Sequence, residues 1–335
     1  MAKGEGKGHN ILKDKINMQH VEINIGKICN SKCLFCYDAT LAPKNKKWIS
    51  REEVEKELNY FFKKGFRSVD FVGGEPSIYP HIIEVIKKAK ELGYRRIVIA
   101  TNGKRFSDFS FAKKVIEAGL NRVTVSVHSS KKEVEDYLTT IPGSFEQKIK
   151  GIQNLIYFKN KNFFKYGLSL NPLIHRKNYQ NLENLVIYFK KLGIDNFRFN
   201  FLRPEGKAYK NKKISVSFSE IKPYILRLIN FNERVAKVWL NFGGIPFCMY
   251  PKIVIKTSYL FRKYVGELHD LPTEVVTFFI RNLAKTRQSF NWQEKKRNFL
   301  KTKLECCENC RFNGICEGIW KSYLETYGSG EFSKK

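Results

Sequence analysis

The chain has 335 residues, 42% of them hydrophobic and 14% aromatic, enough apolar material to bury one large core or two moderate ones, which excludes intrinsic disorder. No uncharged apolar run is long enough to cross a membrane, and residues 1–20 are polar and lysine-rich without a signal-peptide core, so the expectation is a cytoplasmic protein with no membrane partner. Its 61 Lys plus Arg against 32 Asp plus Glu give a formal +29, which fits nucleic acid or another anionic partner; lysine carries most of it and is spread over the whole length, so compositional bias fits equally well. The eight cysteines are more specific. In a cytosolic chain of this size they point to metal ligands or catalytic groups rather than disulfides. They fall in two groups, Cys29, Cys33 and Cys36 early, and Cys248, Cys306, Cys307, Cys310 and Cys316 late.

In chain order, a basic tail (1–18) precedes a first strand at 21–25 and then a repeating unit of amphipathic helix, glycine and β-rich run. Helices are predicted at 51–64, 81–92, 108–118, 144–158 and 179–192. The strands that follow them are predicted at 68–72, 96–100, 122–127, 166–170 and 196–202. Ser50 with Glu53, Ser144 with Gln147, and Ser217 with Glu220 have capping-box spacing. Six strands alternating with helices form a parallel α/β barrel or partial barrel. The polar, turn-rich segments all follow strands: the cysteine loop, Gly73-Gly74-Glu75-Pro76, Thr101-Asn102-Gly103, Ser126-Val127-His128-Ser129, Asn171-Pro172 and Arg203-Pro204-Glu205-Gly206. They therefore share the face where such folds bind ligands.

Three thiolates at C-x3-C-x2-C spacing can hold three corners of a cubane iron–sulfur cluster and leave the fourth iron open. The zinc alternative needs a fourth ligand, for which His20 is the nearest candidate. Cys29-Asn30-Ser31-Lys32-Cys33-Leu34-Phe35-Cys36-Tyr37, with Gly73-Gly74-Glu75-Pro76 after the next strand, resembles the radical S-adenosylmethionine (SAM) superfamily over residues 21–206. The resemblance implies a partial (β/α)6 TIM-like barrel at 19–235. It also implies a [4Fe–4S] cluster on Cys29, Cys33 and Cys36 that binds SAM and cleaves it to a 5′-deoxyadenosyl radical for hydrogen abstraction. Tyr37 then borders the adenine, Phe35 shields the cluster, and Gly73, Gly74 and Glu75 line the SAM site. Ser126 and Asn171 match positions that bond the SAM ribose or carboxylate; the alternative for Ser126 is a strand-end cap. His128 stands where relatives often carry Asp and is either a proton donor or acceptor or a structural histidine.

Cys307-x2-Cys310-x5-Cys316, followed by Glu317-Gly318, Tyr323, Tyr327, Gly328 and Glu331, resembles the C-terminal SPASM or twitch auxiliary-cluster domains. On this resemblance residues 236–335 form a small cysteine-rich iron–sulfur domain. Its second [4Fe–4S] cluster is held by Cys248, Cys307, Cys310 and Cys316, with Cys306 spare. A zinc site on Cys306 or Cys307, Cys310, Cys316 and one further ligand is the alternative. The insertion at 251–303 is predicted to contain a helix at 273–283 and a basic stretch at 295–303. It forms either a substrate lid over the open side of the barrel or a solvated packing face.

The implied partners are SAM, a low-potential reductant such as a ferredoxin or flavodoxin, and an unidentified peptide, small molecule or cofactor precursor. Only 28 residues precede Cys29, too few for the leader-binding domain of many peptide maturases, and the chain lacks the terminal diglycine of the GTP-rearranging enzymes. The alternative from another class is a non-catalytic, zinc-binding basic protein that binds nucleic acid.

Overall fold

The computed structural model describes residues 18–37, 47–281 and 284–332. Five successive α/β units form its centre. Strands β1 (His20–Asn24), β2 (Ser68–Val72), β3 (Arg96–Thr101), β4 (Arg122–Val125), β5 (Leu168–Leu170) and the two-residue β6 (Leu173–Ile174) precede β7 (Asn196–Phe201). Helices α1 (Arg51–Lys63), α2 (Ile82–Leu92), α3 (Phe109–Ala118), α4 (Lys132–Thr139), α5 (Ser144–Asn160) and α6 (Leu182–Leu192) connect them. The order β1-β2-β3-β4-β5-β7 is parallel throughout, the open, partial barrel expected.

Strand alternation determines what each face does. Val21, Ile23, Val69, Phe71, Ile97, Ile99, Val123 and Val125 are buried in the core shared with the helices. The alternate residues His20, Glu22, Asn24, Asp70, Arg96, Arg122 and Thr124 take the opposite face, toward the lumen. Register aligns them in rows: His20 with Ser68 and Arg96, then Glu22 with Asp70, Val98 and Arg122. The lumen is therefore polar while the outer face is apolar.

The capping boxes at Ser50/Glu53 and Ser217/Glu220 are formed, the latter opening α7 (Phe218–Phe231). That at Ser144/Gln147 is not. Ser144 is already helical, and the Asp136 carboxylate takes its place, accepting the N–H of Gly143 at 2.9 Å and of Phe145 at 2.8 Å. An acceptor from a neighbouring helix caps as well as a local one.

The sheet continues beyond residue 235. β8 (Trp239–Gly243) pairs in parallel with β7, and β9 (Thr273–Arg281) pairs in parallel with β1 and antiparallel with β10 (Ala284–Asn291). The helix expected at 273–283 is thus a strand. Its run of Thr, Val and Phe favours extended backbone, and the β1 edge presents unpaired backbone groups that β9 satisfies. The insertion spans the open side: Arg198 on β7 binds Asp270 at 2.7 Å, and Arg287 on β10 makes a bidentate pair with the buried Glu57 of α1. The short strands β11 (Lys301–Thr302) and β12 (Ile319–Trp320) pair beside the late cysteines, followed by α8 (Lys321–Tyr327).

Candidate active site

The early cysteine loop leaves the carboxyl end of β1 and is held by the loops of four other units. Glu75 N–H donates to the Ile28 carbonyl at 2.9 Å, and Lys104 Nζ to the Asn30 carbonyl at 2.5 Å. Asn102 Nδ2 donates to Asn30 Oδ1 at 2.7 Å. Lys32 and Leu34 donate to the carbonyls of Thr139 and Leu138, and Lys207 N–H reaches the Cys36 carbonyl at 3.2 Å. Such cross-bonding orients three thiols without relying on the loop's own propensity.

Gly73 and Gly74 have φ of +94° and +52°. A Cβ at 74 would sit 2.1 Å from the Ile28 carbonyl oxygen, and one at 73 would sit 2.2 Å from Asn24 Oδ1. The immediate reason for both glycines is therefore packing against β1 and the cysteine loop. Glu75 is buried. Its carboxylate accepts Ser77 N–H and Oγ, Thr101 Oγ1, and Asn102 N–H at 2.6 Å, tying the β2 loop to the β3 loop.

Ser126 and Asn171 lie at neighbouring strand ends, their N–H groups bound to the carbonyls of Thr101 and Val125 at 2.8 Å each. Asn171 Oδ1 accepts from Asn200 Nδ2 on β7. His128 is buried, its Nδ1 accepting the Leu173 N–H at 3.1 Å. Burial, reinforced by Lys148 and His175, holds its pKa well below 6.5. The ring is edge-on to Phe35 at 4.6 Å between centroids. Tyr37 is 58% exposed, with the Arg203 guanidinium 5.6 Å over its ring.

Burial raises the Cys29 thiol and pushes Cys33 up to about 12, so iron has to displace protons to bind here. Among the described residues, no three cysteine sulfurs lie within 4.8 Å of one another. A single tetrahedral zinc with 2.3 Å bonds would draw its sulfurs to about 3.8 Å. The wider spacing suits a cubane cluster, whose ligands sit on different irons. Cys248, Cys306, Cys307, Cys310 and Cys316 all line one cavity of about 300 Å³, so the long interval after Cys248 is closed by the fold. Cys306 is exposed and its Sγ lies 3.7 Å from the Phe332 carbonyl oxygen.

Between the two cysteine groups lies a cavity of about 260 Å³ bordered by Phe35, Tyr37, Arg198, Arg203, Glu267 and Trp320. An ion-pair chain runs along it. Asp270 forms ion pairs with Arg198 at 2.7 Å and Lys296 at 3.6 Å, and Glu317 with Lys296 and Lys301 at 2.7 Å each. Burial opposes ionisation of Glu317, yet Lys301 and Lys296 hold it below the usual glutamate range. Glu317 follows Cys316 directly, so the chain couples the lumen to the late cysteines. Glu317 follows the late cysteines and Lys296 and Lys301 lie in the basic stretch, whereas Arg198 and Asp270 stand outside every motif. The signal that carries Arg198 is the polar–apolar alternation of β7.

Residues 23–187 match the radical SAM superfamily. Over 193 residues the chain is 28% identical to the "Probable GTP 3′,8-cyclase" of Sulfurisphaera tokodaii, covering 57% of this chain and 58% of that protein. It is 26% identical over 220 residues to the protein of the same description from Saccharolobus islandicus strain M.14.25, covering 66% and 68%. The chain thus spans under two thirds of the first of these relatives. Among solved structures, Streptococcus suis SuiB bound to precursor peptide SuiA superimposes with a TM-score of 0.64 at 18% identity, over 96% of this chain and 76% of that one. A structure of anSMEcpe with bound AdoMet and Cp18Cys peptide gives 0.55 at 14%, over 92% and 95%. At these identities the structural likeness is one of fold. Fold, loop order, cysteine spacing and family match agree on a radical SAM domain over residues 23–187.

Proposed function

We propose that this chain reductively cleaves SAM and directs the resulting radical at a hydrogen of a small molecule or peptide held in the barrel lumen. The observation that carries this reading is the loop of Cys29, Cys33 and Cys36. It stands at the carboxyl end of β1, and the loops after β2, β3 and β7 fix it above a polar lumen. A [4Fe–4S] cluster bound there with SAM supplies a low-potential electron and, by breaking the S–C5′ bond, a 5′-deoxyadenosyl radical and methionine.

The chain's own residues do the rest. Gly73 and Gly74 bring bare backbone to the SAM ammonium, while Ser126 and Asn171 take its ribose or carboxylate and Tyr37 its adenine. Glu75 keeps the β2 and β3 loops in register, and Phe35 covers the cysteine loop. Cys248, Cys307, Cys310 and Cys316 hold a second [4Fe–4S] cluster, supported by their shared cavity and by the ion-pair chain that reaches Glu317. The reductant is a ferredoxin or flavodoxin of the reducing cytoplasm.

After anaerobic reconstitution and reduction with dithionite, the protein is expected to convert SAM to 5′-deoxyadenosine, and Cys33→Ala to abolish this. Chromatographic analysis showing no 5′-deoxyadenosine from reconstituted, reduced protein overturns the reading.

A further inference from the structure

The lumen floor carries more charge than the barrel needs. Below the level of Asn24, a cavity of about 400 Å³ is bordered by Glu22, Asp70, Arg96 and Arg122, with Arg198 and Asp270 at its side. Arg198 and Asp270 pair with each other. The other four do not. Arg96 meets Ser68 Oγ at 2.8 Å and His20 Nδ1 at 3.4 Å, and Arg122 donates to the Tyr166 carbonyl and to Ser169 Oγ at 3.1 Å, so neither guanidinium meets a carboxylate. Arg96 Nε, Arg122 Nε and Asp70 Oδ1 are buried without a hydrogen-bond partner in the protein. Among the described residues, neither arginine has a carboxylate at ion-pair distance, and neither Glu22 nor Asp70 has a cation there.

Buried charges held apart around a shared cavity are costly unless something bridges them. Two guanidinium groups facing the Asp70 carboxylate and the Glu22 carboxyl, which a bound cation would ionise, select a ligand that carries both signs at once. A triphosphate meets Glu22 and Asp70. A metal ion meets Arg96 and Arg122, and His20, whose ligand atom lies within 4.8 Å of those of Glu22 and Asp70, already uses Nδ1 against Ser68 Oγ at 2.8 Å. We propose that this floor binds a free α-amino acid, its carboxylate on Arg96 and Arg122 and its ammonium on Glu22 and Asp70. The side chain then points up the lumen. Successive lumen residues on one strand are about 6.6 Å apart, so its carbons reach the level of Asn24 and the candidate SAM site. That the amino acid is the substrate rests on the function proposed above; that it binds does not.

Binding is tested on the full chain as isolated, by calorimetry and thermal shift with each of the twenty standard amino acids. At least one is expected to bind, with its decarboxylated amine and its N-acetyl derivative about tenfold weaker or more. Arg122→Gln and Asp70→Asn are each expected to lose a similar factor. Methionine, which is also part of SAM, counts only through the Arg122→Gln difference. If a variant misfolds, the ligand comparison on the native protein decides alone. The proposal is overturned if no amino acid binds, if binding ignores loss of the carboxylate or ammonium, or if GTP binds in an Arg122-dependent way while amino acids do not. SAM cleavage without amino-acid binding defeats this inference and leaves the function standing; amino-acid binding without SAM cleavage does the reverse.

Discussion

Glu135 and Lys148 form an ion pair sealed from solvent, with side chains 0% and 1% exposed and Nζ 2.5 Å from Oε1. The pair clamps the segment after β4. Glu135 Oε2 accepts the N–H groups of His128 and Ser129 at 2.8 and 2.9 Å, and Lys148 Nζ donates to the Ser126 carbonyl at 2.9 Å. Lys148→Met strands a buried carboxylate and is expected to cost about 3–5 kcal/mol. Denaturant unfolding measures that loss, and SAM affinity should fall with it because Ser126 loses its anchor. An unchanged unfolding midpoint would show that the pair is not buried as described.

Gly74→Ala places a Cβ against the Ile28 carbonyl at a backbone angle that alanine adopts at a cost of about 1–3 kcal/mol before the clash is counted. The expected outcome is a lower melting temperature and poor iron uptake at the early cysteines. Gly314→Ala is the control, since its Cβ meets nothing within 4 Å. Equal iron content in the two variants would refute the packing role of Gly74.

Burial, with Asp70 and Asp270 adding to it, raises Glu22 to about 8 in the folded protein, against Arg96 and Lys296, which pull the other way. A carboxyl whose folded pKa exceeds its unfolded value of 4.5 binds the extra proton when folded. Its contribution is neutral below pH 4.5 and becomes increasingly destabilising as pH rises toward 8, levelling beyond. Glu22→Gln should therefore gain on the native protein by about 2–4 kcal/mol between pH 5 and 9. His20 and Asp70 also titrate at the floor and Asp70 interacts with Glu22, so the same pair of curves is measured in the Asp70→Asn background. A flat difference curve would contradict the assignment.

Cys248→Ser is expected to reduce iron after reconstitution from about eight to about four per chain, whereas Cys306→Ser leaves it near eight. Iron analysis with electron paramagnetic resonance of the reduced protein distinguishes the clusters. A loss with Cys306→Ser instead would move that residue into the ligand set.

Apart from α4 and the two-residue β6, the units from β1 to β7 were legible in the sequence because each pairs an amphipathic helix with a short apolar run, a local periodicity that folding keeps. Cys29, Cys33 and Cys36 were legible because their spacing lies within one loop. Other features were not. Residues 273–281 carry an apolar pattern that serves helix or strand, and the unpaired edge of β1 selects strand. Ser144 has capping spacing, but Asp136 reaches its helix first.

By itself, then, the sequence determined the alternation of helices and strands and the loop that holds three thiols, both of which rest on neighbours a few residues apart. Tertiary structure alone decided that Cys248 shares a cavity with Cys307, Cys310 and Cys316, that Lys148 meets Glu135, and that Glu22, Asp70, Arg96 and Arg122 face one cavity. Those are meetings between residues far apart in the chain. Strand register and sheet curvature, which no local pattern encodes, bring their charges and thiols within reach.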